Sequence, residues 1–163
     1  MKIARTIGPV KGTGMYTGLS IAKYVITRCY MIIEKPTTNW KLNKILYILQ
    51  VEYFKEKRTW LIADDFVAKK DGPRLEEVHQ AYSWHYSARI YETHMEVDIS
   101  MADTDFIDKI IDKICSMTAG KVMNRLKENF SAWEISYDKQ DGQIISKNLI
   151  KKESAKNLSI LNN

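Results

Sequence analysis

The feature that most constrains this chain is residues 40–57, a predicted helix with apolar side chains on nearly every face. Leu42, Ile45 and Leu49 recur at helical spacing, and further apolar residues occupy the remaining faces. A helix that is apolar on most sides is usually packed against several neighbours. We therefore predict a central, buried helix that other elements of the chain must cover.

The same spacing predicts the covering helices. We expect helices from Ser20 to near Pro36, over 75–86, from Asp103 or Thr104 to Ser116, and through Val122, Leu126 and Phe130. The central helix is expected to be capped by Thr38 or Asn39.

The β-structure is predicted to be small. Two β-prone stretches, 60–62 and 66–68, predict a hairpin or paired extended arms, and Gly72-Pro73 is interpreted as a chain breaker. Residues 89–100 fit either a strand or an ordered loop, because the alternation is short. The predicted fold class is mainly α, a compact single-domain helical fold with a small β-hairpin or short antiparallel strands.

The domain organisation follows from composition. Residues 1–18 hold four glycines among threonines and basic residues and are predicted to be a flexible lead-in. Residues 19–150 form the predicted helical domain, and 151–163 a polar, basic tail. With 163 residues and a 45% hydrophobic fraction, the chain is large enough to bury its own core.

Several observations favour a cytoplasmic protein. The longest apolar region, 19–33, is interrupted by Lys23 and Arg28 and is shorter than a membrane span, and the first residues lack the apolar stretch of a secretory signal. Cys29 and Cys115 lie among apolar neighbours and are interpreted as buried thiols of a reducing compartment. Whether they form a disulfide depends on a distance that the sequence does not contain.

The net charge of +5 is located at the ends of the chain. Residues 1–18 carry three basic and no acidic side chains, and residues 147–163 carry four basic and one acidic, which leaves 19–146 with a net charge of −1. A nearly neutral body argues against a dedicated phosphate-binding face. A nucleic-acid-binding regulator that acts through its basic tails therefore remains the alternative hypothesis.

No recognisable grouping for catalysis, cofactors or metals occurs in the sequence. The glycines before residue 19 lack the lysine and hydroxyl spacing of a phosphate loop. Three histidines and two distant cysteines give no metal-ligand pattern. We therefore expect neither an enzyme nor a cofactor or metal.

The aromatic cluster in residues 82–86 is more informative. On a helix Tyr82 and Tyr86 share one face, while Trp84 lies well round the other side. Two interpretations stay open: the rings all lie in the core between two packing neighbours, or Trp84 and its neighbours form a partner-binding surface, where aromatic residues act as anchors.

Residues 42–50, which read LNKILYILQ, resemble the kLqKLLYfaq helix of the SocA-like antitoxin family, also called the Panacea domain, which often occurs in phage-associated proteins. The similarity continues in chain order through 22–25, 68–73, 78–82, Trp133, Tyr137 and 144–150. Lys69, Arg74 and His79 stand where the family usually has other residues.

The resemblance implies a non-enzymatic antitoxin-type module that neutralises a protein toxin, encoded by a neighbouring gene, by direct binding. For at least one member it also implies delivery of the toxin to a protease. Gly72-Pro73 is then either a simple helix stop or part of the binding surface. On this basis the expected partner-binding residues are Lys69, Gly72, Pro73, Arg74, His79, Tyr82 and Trp84.

Overall fold

The computed structural model describes residues 14–128, 131–156 and 159–162. The helices are α1 (Gly18–Met31), α2 (Asn39–Lys57), α3 (Glu76–Ala81), α4 (Met101–Cys115), α5 (Ala119–Leu126), α6 (Ala132–Lys139) and α7 (Lys147–Lys156). The strands are β1 (Gly14–Tyr16), β2 (Trp60–Ile62), β3 (Val67–Lys69), β4 (Gly72–Arg74) and β5 (Gln143–Ile144). The predicted fold class, mainly α with a little β, is confirmed. In the described ranges, no helix is both long enough and apolar enough to cross a bilayer.

Helix α2 is the centre of the fold. Its residues are buried from Leu42 to Phe54, and it contacts α1, α4, α5 and α7 as well as strands β2 and β4. The predicted cap is confirmed, since Thr38 Oγ1 accepts a hydrogen bond from the backbone N–H of Lys41 at 3.2 Å. The helix stops at Arg58, which adopts a left-handed conformation with φ 61°. The predicted buried central helix is therefore present.

Two helices begin upstream of their predicted starts. Thr17 caps α1 by accepting from the N–H of Ser20, which therefore lies within the first turn. Ser100 caps α4 by accepting from the N–H of Asp103, so neither Asp103 nor Thr104 is the cap. The Asp103 carboxylate instead accepts hydrogen bonds from two tyrosine hydroxyls, a long-range contact that local sequence does not reveal.

The predicted pairing of 60–62 with 66–68 is wrong. Strand β2 pairs in parallel with β1, and β3 pairs antiparallel with β4 and with β5. The side-chain amide of Gln50 accepts from the N–H groups of Leu61 and Ile62 and donates to the Ile62 carbonyl. Because Gln50 takes one edge of β2 and β1 takes the other, no edge is left for β3.

Gly72 and Pro73 do not break the chain but form strand β4, the second arm of the hairpin with β3. The helix predicted over 75–86 is also shorter than expected. Helix α3 ends at Ala81, and the 3-10 helix Ser83–His85 follows it.

Residues 89–100 form an ordered connection without a strand of their own. The backbone N–H of Ile90 donates to the Thr37 carbonyl at 2.8 Å, which fixes the start of the segment. Val97 and Ile99 are buried while Glu96 and Asp98 point outward. The sequence alternation therefore reflects an extended chain with one face on the core.

The two ends differ from their predicted descriptions where the structure describes them. Most of the expected lead-in, residues 1–13, lies outside the described residues, but 14–18 form β1, the α1 cap and the start of α1. Within the expected tail, α7 continues to Lys156, and Ile160 is buried with its N–H on the Glu52 carboxylate. Both ends thus contribute to the packed body.

The two cysteines lie between α1 and α4, and helix α6 packs against the small sheet. Cys29 and Cys115 are both buried, free thiols that hydrogen-bond to each other across α1 and α4. Helix α5 ends at Leu126, and Phe130 lies outside the described residues. In α6, Trp133 Nε1 donates to the Lys69 carbonyl at 2.7 Å and so holds the helix against β3.

Candidate partner-binding site

Lys44 occupies an unusual place for a charged residue. It lies in the middle of α2, and only 1% of its surface is exposed. A Cβ atom on Gly72 would lie 2.5 Å from Lys44 Cε and 3.1 Å from Cδ. Gly72 also has φ +123°, a conformation that residues with a side chain rarely adopt. The glycine therefore gives the lysine stem room to pass the end of β4.

Burial lowers the pKa of Lys44 to about 8; Asp71 partly offsets the effect of burial, and the nearby Arg74 adds to it. The ammonium also lies 5.1 Å from the centre of the Trp40 ring, at a distance typical of a cation–π contact. Burying this charge reduces the stability of the fold. A hydrophobic residue of similar length would avoid that cost.

Two asparagines of α2 fix the backbone around Lys44. Asn43 Oδ1 accepts from the N–H of Leu75 at 2.9 Å, and its Nδ2 donates to the Asn39 carbonyl and to Asn39 Oδ1 at 3.0 and 3.1 Å. Asn39 Nδ2 in turn donates to the His79 carbonyl at 3.0 Å. These bonds tie the chain after Gly72 to the central helix, because buried amides must satisfy their hydrogen bonds.

A cavity of about 180 Å³ opens between α2, the end of β4 and the turn after α3. Its lining consists of Asn39, Trp40, Asn43, Lys44, Asp71, Arg74, His79, Tyr86 and Ser87. Arg74 lies 3.6 Å from carboxylates of both Asp71 and Glu76. Burial lowers the pKa of His79, and Arg74 adds to that effect. We call this space the Lys44 cavity.

Two exposed aromatic rings stand beside the Lys44 cavity, and we call Trp84 and Tyr86 the aromatic turn. Trp84 is 66% exposed and packs over the His85 ring, with 3.8 Å between the ring centres. His85 is held by Glu92 at 2.8 Å. Tyr86 is 85% exposed and has φ 54° and ψ −122°, a positive-φ conformation that is strained for an aromatic residue.

The seven expected partner-binding residues fall into three groups. Gly72, Arg74 and His79 meet at the Lys44 cavity. Gly72 packs against the Lys44 side chain, and Arg74 and His79 line the cavity. Trp84 belongs to the neighbouring aromatic turn. Lys69, Pro73 and Tyr82 have other environments.

Each of those three residues has a structural role in this chain. Lys69 forms an exposed ion pair with Asp141 at 3.2 Å. Pro73 is buried in β4. Tyr82 is only 4% exposed, and burial raises its pKa to about 12. Part of the aromatic cluster is thus core, and part lies at the surface.

The seven expected partner-binding residues do not include Lys44, Asn39, Asn43 or Tyr86, although Tyr86 belongs to the aromatic cluster that the sequence singles out. Lys44 and Asn43 carry a usable signal, since they are polar residues between the apolar residues Leu42 and Ile45 of a predicted central helix. Such residues are retained when they satisfy a buried contact or face a site. The position of Tyr86 depends on the helix ending at Ala81, which no local pattern indicates.

This arrangement defines a helical domain built around a buried lysine, with a small cavity and exposed aromatic residues at one end of its central helix. The family model of the antitoxin SocA-like Panacea domain matches residues 42–134, which is more than half of the chain. The chain belongs to this family. The matched region begins at the first buried leucine of α2 and includes Lys44, Gly72 and Trp133. No curated protein and no solved structure matches the chain.

Proposed function

We propose that this protein is a cytoplasmic antitoxin that neutralises a protein toxin, encoded by a neighbouring gene, by binding it directly and without catalysis. The observation that carries the proposal is the aromatic turn, two large exposed rings beside the Lys44 cavity in a chain of an antitoxin family. Such rings are typical anchors of protein interfaces, where they supply most of the binding free energy.

The cavity adds specificity to this surface. Lys44 and Arg74 bring two positive charges to it, and Asp71 is the acidic residue of its lining. An acidic side chain of the toxin, inserted between them, would form charge-assisted hydrogen bonds in a partly desolvated place. This accounts for a buried lysine that the fold alone does not require.

Hydrogen bonds around the candidate site favour a binding surface that is already formed before the toxin binds. The asparagine pair holds the backbone after β4, and the hydrogen bond of His85 with Glu92 holds the aromatic turn. A rigid surface loses less conformational entropy on binding than a mobile one. We further propose that the bound toxin is delivered to a protease, in which case the antitoxin shortens the lifetime of the toxin.

Co-expression with the product of the adjacent gene tests the proposal. We expect the chain to restore growth when that product inhibits it, and the double variant W84A/Y86A to lose this protection. The matched control is M101A/I144A, which removes two apolar side chains that are 54% and 52% exposed elsewhere on the surface. Protection by W84A/Y86A equal to that of the control, with both variants folded, would contradict the proposed surface. Unchanged toxin lifetime would contradict the protease step alone.

A further inference from the structure

A second and larger cavity, of about 440 Å³, lies where the starts of α2 and α5 approach the end of α4. It is lined by basic and hydroxyl side chains, among them Lys35, Lys41, Arg89, Thr38 and Thr118. It shares no lining residue with the Lys44 cavity. Its volume lies in the range of small-molecule sites, about 300–1,000 Å³.

The charges in this cavity are of one sign. Lys35, Lys41 and Arg89 line it, and no carboxylate belongs to its lining within the described ranges. Burial lowers the pKa of Lys41, the thiols of Cys115 and Cys29 partly offset this shift, and the nearby Lys35 and Arg89 add to it, as expected for like charges that lie close together. A bound anion would relieve this repulsion.

One donor of the cavity, Lys41, is held in place, while Lys35 and Arg89 are exposed side chains. Lys41 Nζ donates to the carbonyls of Cys115 and Met117 at 3.1 and 2.7 Å, which fixes the ammonium against the wall. Thr38 and Thr118 cap α2 and α5, so the positive ends of two helix dipoles meet at the same space. Three side-chain cations and two helix starts thus lie around one cavity, together with the C-terminal end of α4, where the Cys115 and Met117 carbonyls already accept from Lys41.

We propose that this cavity binds the phosphate chain of a di- or triphosphate. The lining brings together cations and hydroxyls that suit phosphate oxygens, and in the described part of the chain no aromatic ring lines it for stacking on a base. Recognition therefore rests on the phosphates, whether they belong to a nucleotide or to free polyphosphate. This site is independent of the toxin-binding proposal.

Calorimetric titration of the full chain with pyrophosphate at constant ionic strength tests the inference. The variant K35Q/R89Q removes two cavity charges and keeps Lys41, whose contacts hold the end of α4. The control K70Q/K139Q removes two exposed lysines elsewhere, so both variants lower the net charge from +5 to +3. We expect saturable binding that K35Q/R89Q weakens about tenfold or more, while the control binds as the original chain does.

Two further ligands sharpen the result. Citrate is a multivalent carboxylate, and we expect it to bind more weakly than pyrophosphate. Binding of ATP much tighter than pyrophosphate would assign the phosphate chain to a nucleotide, and equal binding would assign it to free polyphosphate. No saturable binding of pyrophosphate, equal weakening in both variants, or citrate as tight as pyrophosphate would each overturn the inference.

Discussion

The side chain of Lys44 passes so close to Gly72 that a Cβ atom there would lie 2.5 Å from Lys44 Cε. This contact joins the centre of α2 to the end of the β3–β4 hairpin, which are 28 positions apart in the chain. It explains why a lysine in an apolar helix and a glycine before a proline occur together. The same contact places the Lys44 amine in the lining of the candidate site.

Replacing Gly72 by alanine tests this contact. We expect Gly72→Ala to lower the free energy of unfolding by about 2–4 kcal/mol, because it adds both a clash with Lys44 and backbone strain at φ +123°. Urea denaturation measures the change. Gly120→Ala is the matched control, since its new Cβ would come no closer than 3.9 Å to another group. A loss of stability no larger than that of the control would contradict the close packing.

Replacing Lys44 by methionine separates stability from binding. The folded-state pKa is about 8, below the ordinary value of 10.5, so the unfolded chain holds the proton more tightly between these values. Stability of the original chain should therefore rise with pH from 8 to 10.5, by up to about 3 kcal/mol relative to Lys44→Met.

At pH 7 we expect Lys44→Met to be at least as stable as the original chain but to bind the toxin more weakly. Chemical denaturation across this pH range, with Lys70→Met as an exposed control, measures the first effect. An identical pH dependence for the original chain and Lys44→Met would show that the amine is not buried as described.

Much of this architecture was accessible from the sequence, and the rest depended on long-range contacts. Helical spacing located the central helix and the apolar stripe of α4, and cap-forming residue types narrowed the cap of the central helix to Thr38 or Asn39, because these features are local. The predicted hairpin of 60–62 with 66–68 was wrong because β-propensity indicates which segments are extended but not which strands pair with each other. In this fold the side chain of Gln50 decides the partner of β2, and no pattern in residues 60–68 shows it.

The candidate site was predicted only in part for the same reason. The family resemblance led to Gly72, Arg74 and His79, which meet at the Lys44 cavity. The aromatic cluster led to Trp84, an exposed ring two positions before Tyr86, which lines that cavity. The burial of Tyr82 and the exposure of Tyr86 depend on where α3 ends, and helix ends are the least predictable part of an element.

Tyr86 offers a test of backbone strain at the candidate partner-binding site. Its φ of 54° favours glycine, so we expect Tyr86→Gly to raise the free energy of unfolding by about 1 kcal/mol. Tyr91→Gly, at an exposed residue without positive φ, should lower it instead. Thermal denaturation compares the two. If Tyr86→Gly lost as much stability as Tyr91→Gly, the backbone at residue 86 would not be strained.

Glu153 should make stability depend on pH in the neutral range. Burial raises its pKa to about 7, while its Oε1 accepts from the Tyr47 hydroxyl and from the Ala132 N–H. The folded chain then keeps this proton between pH 4.5 and 7 while the unfolded chain loses it, so stability falls as pH rises through this window.

The variant Glu153→Gln keeps an acceptor oxygen but cannot ionise. Relative to the original chain it should gain up to about 3 kcal/mol of stability between pH 4.5 and 7. Glu134→Gln, a control outside this buried group, should show no such gain. Urea denaturation of the three proteins at several pH values decides between a buried acid and a solvated one.

The central claim is that the aromatic turn holds the toxin, and the most direct measurement is the dissociation constant between this chain and the separately purified product of the adjacent gene. We predict saturable binding that W84A/Y86A weakens about a hundredfold or more, as expected when two anchor residues are lost, while M101A/I144A leaves it unchanged. Equal affinities for the original chain, W84A/Y86A and the control, with all three folded, would contradict the account.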